Sequence, residues 1–128
     1  MFSIIKVHAG DFVGGSYTPP DYGKGFGILH LYKEDLKYLN TKITKEMIHV
    51  VEVATQESAI RLGGAGQWRG TGLIILGPNG LLKELILDEC STEITFILVL
   101  KDRRKILATI DRKAYRAIAK TVFITNFD

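Results

Sequence analysis

The chain has 128 residues, of which 46% are hydrophobic, and a formal net charge of +3 at pH 7. This length predicts one domain with its own core, and this composition excludes intrinsic disorder. The single cysteine, Cys90, excludes an internal disulfide, and no apolar run reaches the length of a transmembrane helix. Since no secretory signal opens the chain, we expect a single domain over residues 1–128 in the cytoplasm.

The N-terminal half predicts strands interrupted by one long loop. Residues 2–9 alternate in the manner of a strand. Residues 14–25 are rich in glycine and proline and predict a loop, in which Tyr17 and Tyr22 are surface aromatics or lids over the core. Further strands are predicted at 26–33, 36–40 and 47–54, with a polar link at 41–46.

The C-terminal part predicts a hairpin followed by a helix. Residues 92–100 are apolar on both faces of a strand, which predicts a central position, and residues 105–110 form its hairpin partner. Asp111 is expected to cap an amphipathic helix. Antiparallel strands closed by one helix predict an α+β fold that is mainly β, a small barrel or curled sheet. The expected buried side of the helix contains Ala114, Tyr115 and Ile118.

A glycine-rich apolar segment lies between the two halves, and it is predicted to be a hairpin insert over residues 61–87. Pro78 in the sequence GPNG predicts its turn, and the choice between helical and extended arms stays open. Each glycine costs a helix roughly 1 kcal/mol relative to alanine, so we expect another backbone to pack against the segment, with a tight loop as the alternative. The predicted partner-binding residues are Gly63, Gly66, Trp68, Arg69, Gly70, Leu73, Ile75 and Gly77.

The order of MIHVVEVATQESA, the glycine-rich insert and TEITFILVLKDRRKILATIDRKAYRAI resembles bacterial pleckstrin-homology-like domains of small SHOCT-associated proteins. The resemblance covers about residues 26–119. It implies a split antiparallel barrel of about seven strands capped by a C-terminal helix, in a bacterial or phage protein that binds or assembles and is no enzyme. Members usually have glycine in the hairpin, as KDG. Arg103 stands in that place here, which questions the hairpin geometry.

The chain lacks the motifs of catalysis and of metal binding. No nucleophile motif occurs, and His8, His30 and His49 have no ligand spacing, so we predict no catalytic residue, no metal and no cofactor. The basic residues concentrate at the end, where residues 101–128 contain eight Lys or Arg and three Asp. Anion binding is predicted at the hairpin tip, with a merely solvated tip as the alternative, by Lys101, Arg103, Arg104 and Lys105.

Three functions follow from these features. The leading hypothesis is a non-enzymatic interaction or assembly module that forms a homo-oligomer or docks on a protein partner through the glycine-rich hairpin. The alternative is a protein that binds the membrane surface or anionic lipid, with the apolar hairpin inserting and the basic end attracting headgroups. A third hypothesis is nucleic-acid binding through the basic C-terminal region. It is disfavoured because Tyr115 is the only aromatic residue among those cations.

Overall fold

The computed structural model describes residues 2–20, 25–33, 40–55, 57–58 and 91–127, with backbone alone for Asn40 and residues 123–127. Within these residues the fold is mainly β, an antiparallel seven-stranded sheet with one C-terminal helix. A short 3₁₀ turn, Lys45–Met47, precedes the fifth strand. The strands are β1 Ser3–Gly10, β2 Gly14–Thr18, β3 Ile28–Tyr32, β4 Asn40–Ile43, β5 Ile48–Val53, β6 Glu93–Leu100 and β7 Lys105–Asp111, and the helix is α1 Arg112–Phe127.

The strand order across the sheet is β4-β3-β2-β1-β7-β6-β5, so β1 lies at its centre. The first part of β1 pairs with β2, and its second part pairs with β7. The register between β1 and β7 shifts between Val7 and Ala9, which marks a β-bulge at His8. Because a bulge adds bend and twist, this central strand passes from one half of the sheet to the other, and the sheet curls into a half-barrel.

The core fills the concave side of the half-barrel, and α1 closes it. Ala114, Ile118 and Val122 recur every four residues and form the buried stripe of the helix. Tyr115 packs against Phe96 with ring centroids 5.7 Å apart. The predicted buried side of the helix is therefore confirmed. The sheet contributes Ile5, Tyr17, Leu29, Leu31, Ile43, Phe96, Leu98, Ile106, Ala108 and Ile110 to the same core.

The capping prediction for the helix is also confirmed. The Asp111 carboxylate accepts a hydrogen bond from the backbone N–H of Ala114 over 3.0 Å. That amide lies in the first turn, where no backbone carbonyl is available to it, so the carboxylate satisfies a donor that the helix leaves unpaired. Its charge also lies at the favourable end of the helix dipole.

The loop predicted over residues 14–25 is wrong in its first part, because Gly14–Thr18 form β2 between β1 and β3. Glycine at this place reflects close packing. A Cβ on Gly15 would collide with the backbone oxygen of His30, and one on Gly14 would lie 2.7 Å from the ring of Tyr32. Strand pairing in a crowded sheet therefore explains a composition that usually indicates a loop.

Tyr17 belongs to the core and is not a surface aromatic. It is 0% exposed, its hydroxyl accepts a hydrogen bond from the N–H of Gly27 over 3.0 Å, and its ring meets the edge of Phe26. Burial raises the pKa of this phenol. Tyr22 lies outside the described residues.

The polar link predicted at 41–46 is also partly wrong, because β4 continues through Ile43. Lys42 pairs with His30 and Ile43 with Leu29, and Ile43 is buried in the core. A four-residue strand with one apolar residue is too short for its own pattern to be read, and its pairing with β3 decides its structure. The predicted insert at 61–87, with all eight of its partner-binding residues, lies outside the described residues, as does Cys90.

Candidate functional site

The tip of the β6–β7 hairpin brings together the four cations predicted to bind anions. Residues 101–104 lie between the two strands, and the hydrogen bond between Leu100 and Arg104 closes a three-residue loop over 101–103. The N–H of Leu100 donates to the oxygen of Arg104 over 2.7 Å, and the N–H of Arg103 donates back to the oxygen of Leu100 over 2.9 Å. Hairpin loops of this length place their third residue in the left-handed region, which glycine fills most easily.

Arg103 occupies this left-handed position, with a φ of 77°. The hairpin turn, whose geometry the sequence left in doubt, forms with arginine at this position. Because the left-handed region is unfavourable for a residue with a Cβ, the backbone at Arg103 is strained. Its side chain is exposed, as is that of Lys101. An exposed guanidinium group therefore belongs to a strained residue of the hairpin loop.

Arg104 is held by two neighbours. Its Nε donates to the Asp102 carboxylate over 2.8 Å, and its backbone N–H donates to the same carboxylate over 3.0 Å. These hydrogen bonds, the one from the backbone N–H first, lower the pKa of Asp102. The guanidinium carbon lies 5.1 Å from the centre of the Phe12 ring, within the range of a cation–π contact. Arg104 thus has a structural role at the base of the tip.

Hydrogen bonds attach the tip to two other segments. The N–H of Asp11 donates to the oxygen of Lys105, and the N–H of Lys105 donates to the Asp11 carboxylate over 2.9 Å. On the other side, the N–H of Lys101 donates to the oxygen of Met47 over 2.8 Å. The turn between β1 and β2 therefore lies beside the hairpin tip. It adds an exposed apolar residue, Val13, which is 48% exposed.

Two carboxylates of the described residues are hydrogen-bonded at the tip. Asp102 accepts from Arg104, and Asp11 accepts from the backbone N–H of Lys105. Within the described part of the chain, Lys101 and Arg103 are exposed and form no ion pair. These two side chains are the ones available to an anion.

The other basic residues of the C-terminal region begin at the opposite end of β7. That strand runs from Lys105 at the tip to Asp111, and Arg112 and Lys113 follow it as the first residues of α1. Seven residues of strand span roughly 20 Å. Arg112 is also engaged, since its Nε donates to the oxygen of Ser91 over 3.0 Å. The basic C-terminal region is therefore split between two ends of the fold.

Of the predicted site residues, those at the tip are described and brought together, whereas the eight of the insert lie outside the described residues. Sequence reasoning missed Asp11, Phe12 and Asp102, which determine which cations stay exposed. Asp102 could have been found, since an acidic residue between basic ones in a hairpin turn indicates a local pair. Asp11 and Phe12 could not, because they are about ninety residues away in sequence.

In the described ranges, which omit residues 59–90, no helix has both the length and the apolar content that crossing a bilayer requires. In the same residues, no three side chains of His, Cys, Asp or Glu converge as a metal ion would need. Comparisons with protein-family models, with curated proteins and with solved structures find no match to this chain. The geometry of the chain itself is therefore the basis for a functional assignment.

Proposed function

We propose that this protein is a non-enzymatic binding module with a pleckstrin-homology-like barrel, which attaches to phosphate-bearing anionic surfaces through its β6–β7 hairpin tip. The strand order β4-β3-β2-β1-β7-β6-β5, closed by a C-terminal helix, supports the barrel type. Two four-stranded halves that share a central strand fit a split barrel. The predicted insert at 61–87 belongs to the same domain in this proposal, but the proposed attachment does not depend on it.

The observation that carries the proposed function is the strained backbone at Arg103. Glycine at a φ of 77° would relieve a strain of about 1 kcal/mol. Among the described residues, the side chain of this exposed arginine forms no ion pair that would offset the strain. Strain that is kept without local compensation points to a function of the side chain, and a guanidinium at a hairpin apex is suited to bind phosphate.

A membrane surface is favoured over a free anion because of Val13. This exposed apolar side chain follows Phe12, whose ring contacts Arg104 at the base of the tip. Cations beside an exposed apolar residue fit the boundary between headgroups and acyl chains. Each cation near an anionic leaflet contributes about 1 kcal/mol, so two exposed cations give weak and reversible attachment that depends on salt.

Co-sedimentation with vesicles tests the proposal. We expect binding to vesicles that contain phosphatidylserine, little binding to phosphatidylcholine alone, and weakening by salt. Arg103→Gly is expected to reduce binding about fivefold, the equivalent of about 1 kcal/mol. Arg116→Ala is the matched control, because it removes an exposed arginine in the second turn of α1, which begins at the far end of β7.

Other ligands of the tip are outcomes of the same experiment. Competition by inositol phosphates at low concentration would assign the site to a free phosphate ligand. A gel shift of RNA that Arg103→Gly abolishes would assign it to nucleic acid. Equal binding to neutral and anionic vesicles, or an Arg103→Gly variant that binds as the wild type does, would refute the proposed function.

Assembly through the glycine-rich insert remains a second proposal, which rests on the sequence of residues 61–87. Light scattering on Gly66→Leu and Trp68→Ala tests it, because both changes should reduce the mass of an oligomer that forms there. A mass of one chain for the wild type at every concentration would argue against it.

A further inference from the structure

A second surface lies at the end of the fold opposite to the hairpin tip. A cleft of about 570 Å³ opens between the start of β1, the end of β2 and the first turns of α1. Its apolar lining consists of Phe2, Pro19, Ala114 and Ala117. A volume of this size falls within the range of sites that bind organic ligands or receive side chains of a partner.

Large apolar side chains are exposed on the first half of the sheet, whose strands β1 and β2 border this cleft. Phe2 is 61% exposed, Ile4 is 61% exposed and Ile28 is 44% exposed. Ile4 and Ile28 alternate with the buried Ile5 and Leu29, so they lie on the convex face of the first half of the sheet. Three of the five large apolar residues that are exposed in the described chain thus lie on one side of the molecule. Such clustering is typical of an interaction surface.

The charges in the cleft indicate which partner it fits. Its lining contains one carboxylate, Asp111, and one ammonium group, Lys113. A fatty acid or an acidic peptide would pair with Lys113 and leave Asp111 without an opposite charge, and a basic ligand would pair with Asp111 and leave Lys113 without one. An occupant with both charges at matching positions suits the cleft better. A second copy of the chain has both charges, and a two-fold axis that passes between Asp111 and Lys113 would set each carboxylate against the ammonium of the other copy.

We propose that the protein forms a two-fold symmetric dimer in which Phe2 of each copy enters the cleft of the other. Asp111 of one copy pairs with Lys113 of the other, and Ile4 and Ile28 extend the apolar contact. Phe2 lines the cleft and is also exposed. In a symmetric dimer, each Phe2 can therefore insert into the partner's cleft while it also lines its own cleft. This dimer needs neither the hairpin tip nor residues 61–87, and it goes beyond the proposed attachment to anionic surfaces.

Sedimentation velocity over a wide range of concentrations tests the dimer, with any purification tag placed after the C terminus so that Phe2 is undisturbed. The wild type is expected to reach twice the mass of one chain as concentration rises. Phe2→Ser and Lys113→Glu are each expected to remain monomeric. Val53→Ser is the matched control, because it removes an exposed apolar side chain of β5 that does not line the cleft, and it should dimerise as the wild type does.

A charge exchange separates a lost contact from a damaged fold. Lys113→Glu sets two acids against each other in its own dimer, and Asp111→Lys sets two bases against each other, so each alone should be monomeric. Mixed together, they restore both opposite-charge pairs, and a species of twice the mass should form. Asp111→Lys removes the helix cap, so its helical circular dichroism is compared with that of Asp111→Ala.

Three results would overturn the dimer. They are a wild type with the mass of one chain at every concentration, a dimer that survives both Phe2→Ser and Lys113→Glu, and a dimer that instead dissociates with Gly66→Leu or Trp68→Ala. The vesicle experiment is independent of all three, since a monomer retains its hairpin tip.

Discussion

Replacing Arg103 by glycine should make the protein more stable although it removes the side chain that we assign to binding. Arg103 has a φ of 77°, a conformation that glycine adopts without strain. Its side chain is exposed and forms no ion pair within the described residues, so little packing is lost. The pair between Asp102 and Arg104 does not involve it and should persist.

The size of the effect follows from two opposing contributions. A left-handed conformation costs a residue with a Cβ roughly 1–2 kcal/mol. Glycine loses more conformational entropy on folding, which offsets roughly 0.4–1 kcal/mol of this relief. The free energy of unfolding should therefore rise by about 0.5–1 kcal/mol. For a chain of this length, such a change raises Tm by about 2–4 °C.

Urea unfolding monitored by circular dichroism measures this difference, and the midpoint should rise while the slope m stays unchanged. Arg103→Ala is the matched control, because it removes the same charge and keeps a Cβ at the strained position. We expect no gain for alanine and equal losses of vesicle binding for both variants. Should glycine prove no more stable than alanine, the backbone at this position is not strained, and the main support for the proposed function is lost.

Three further predictions concern the core and the central strand. Burial first, and the charge of Lys6 second, lower the pKa of His8, so protonation of His8 favours the unfolded chain. The free energy of unfolding should therefore fall as the pH decreases below 6.5, the ordinary pKa of histidine. His8→Gln should flatten this dependence in urea titrations at several pH values, and an unchanged slope would exclude His8 as its source. Gly15→Val should lower the free energy of unfolding by roughly 2–3 kcal/mol or prevent folding, because the new Cβ would collide with the backbone of β3. A thermal melt like that of the wild type would contradict the register of β2. Tyr17→Phe leaves the backbone N–H of Gly27 without its hydrogen-bond acceptor and should lower the free energy of unfolding by about 1 kcal/mol in the same urea assay. A neutral effect would mean that water replaces the hydroxyl.

Strands with a strong apolar pattern could be predicted from the sequence, and those determined by pairing could not. Residues 92–100 and 105–110 correspond closely to β6 and β7, since many β-branched and apolar residues are buried there. Residues 14–18 looked like a loop because they begin a segment, residues 14–25, that is rich in glycine and proline. Gly15 nevertheless pairs with β1 and β3, and glycine is required there because the backbone of β3 approaches too closely for any side chain.

The same distinction applies to the candidate site. The cluster of cations at the hairpin tip follows from the local sequence, as does the capping role of Asp111. Arg104 contacts Phe12 because β1 pairs with β7. The two residues are about ninety positions apart in the sequence, so this contact cannot be read from the local pattern. Arg112 is also far from the tip, which no count of charges along the chain reveals. Phe2 and Lys113 share a cleft for the same topological reason.

Residue-resolved mapping of binding tests the central claim most directly. Amide NMR spectra of the labelled protein are recorded while bicelles that contain phosphatidylserine are added, and bicelles of phosphatidylcholine alone serve as the control. The proposed function predicts shifts in residues 11–13 and 101–105 that disappear in Arg103→Gly. Shifts confined to residues around Phe2, or to residues 61–87, with the hairpin tip unaffected, would contradict it.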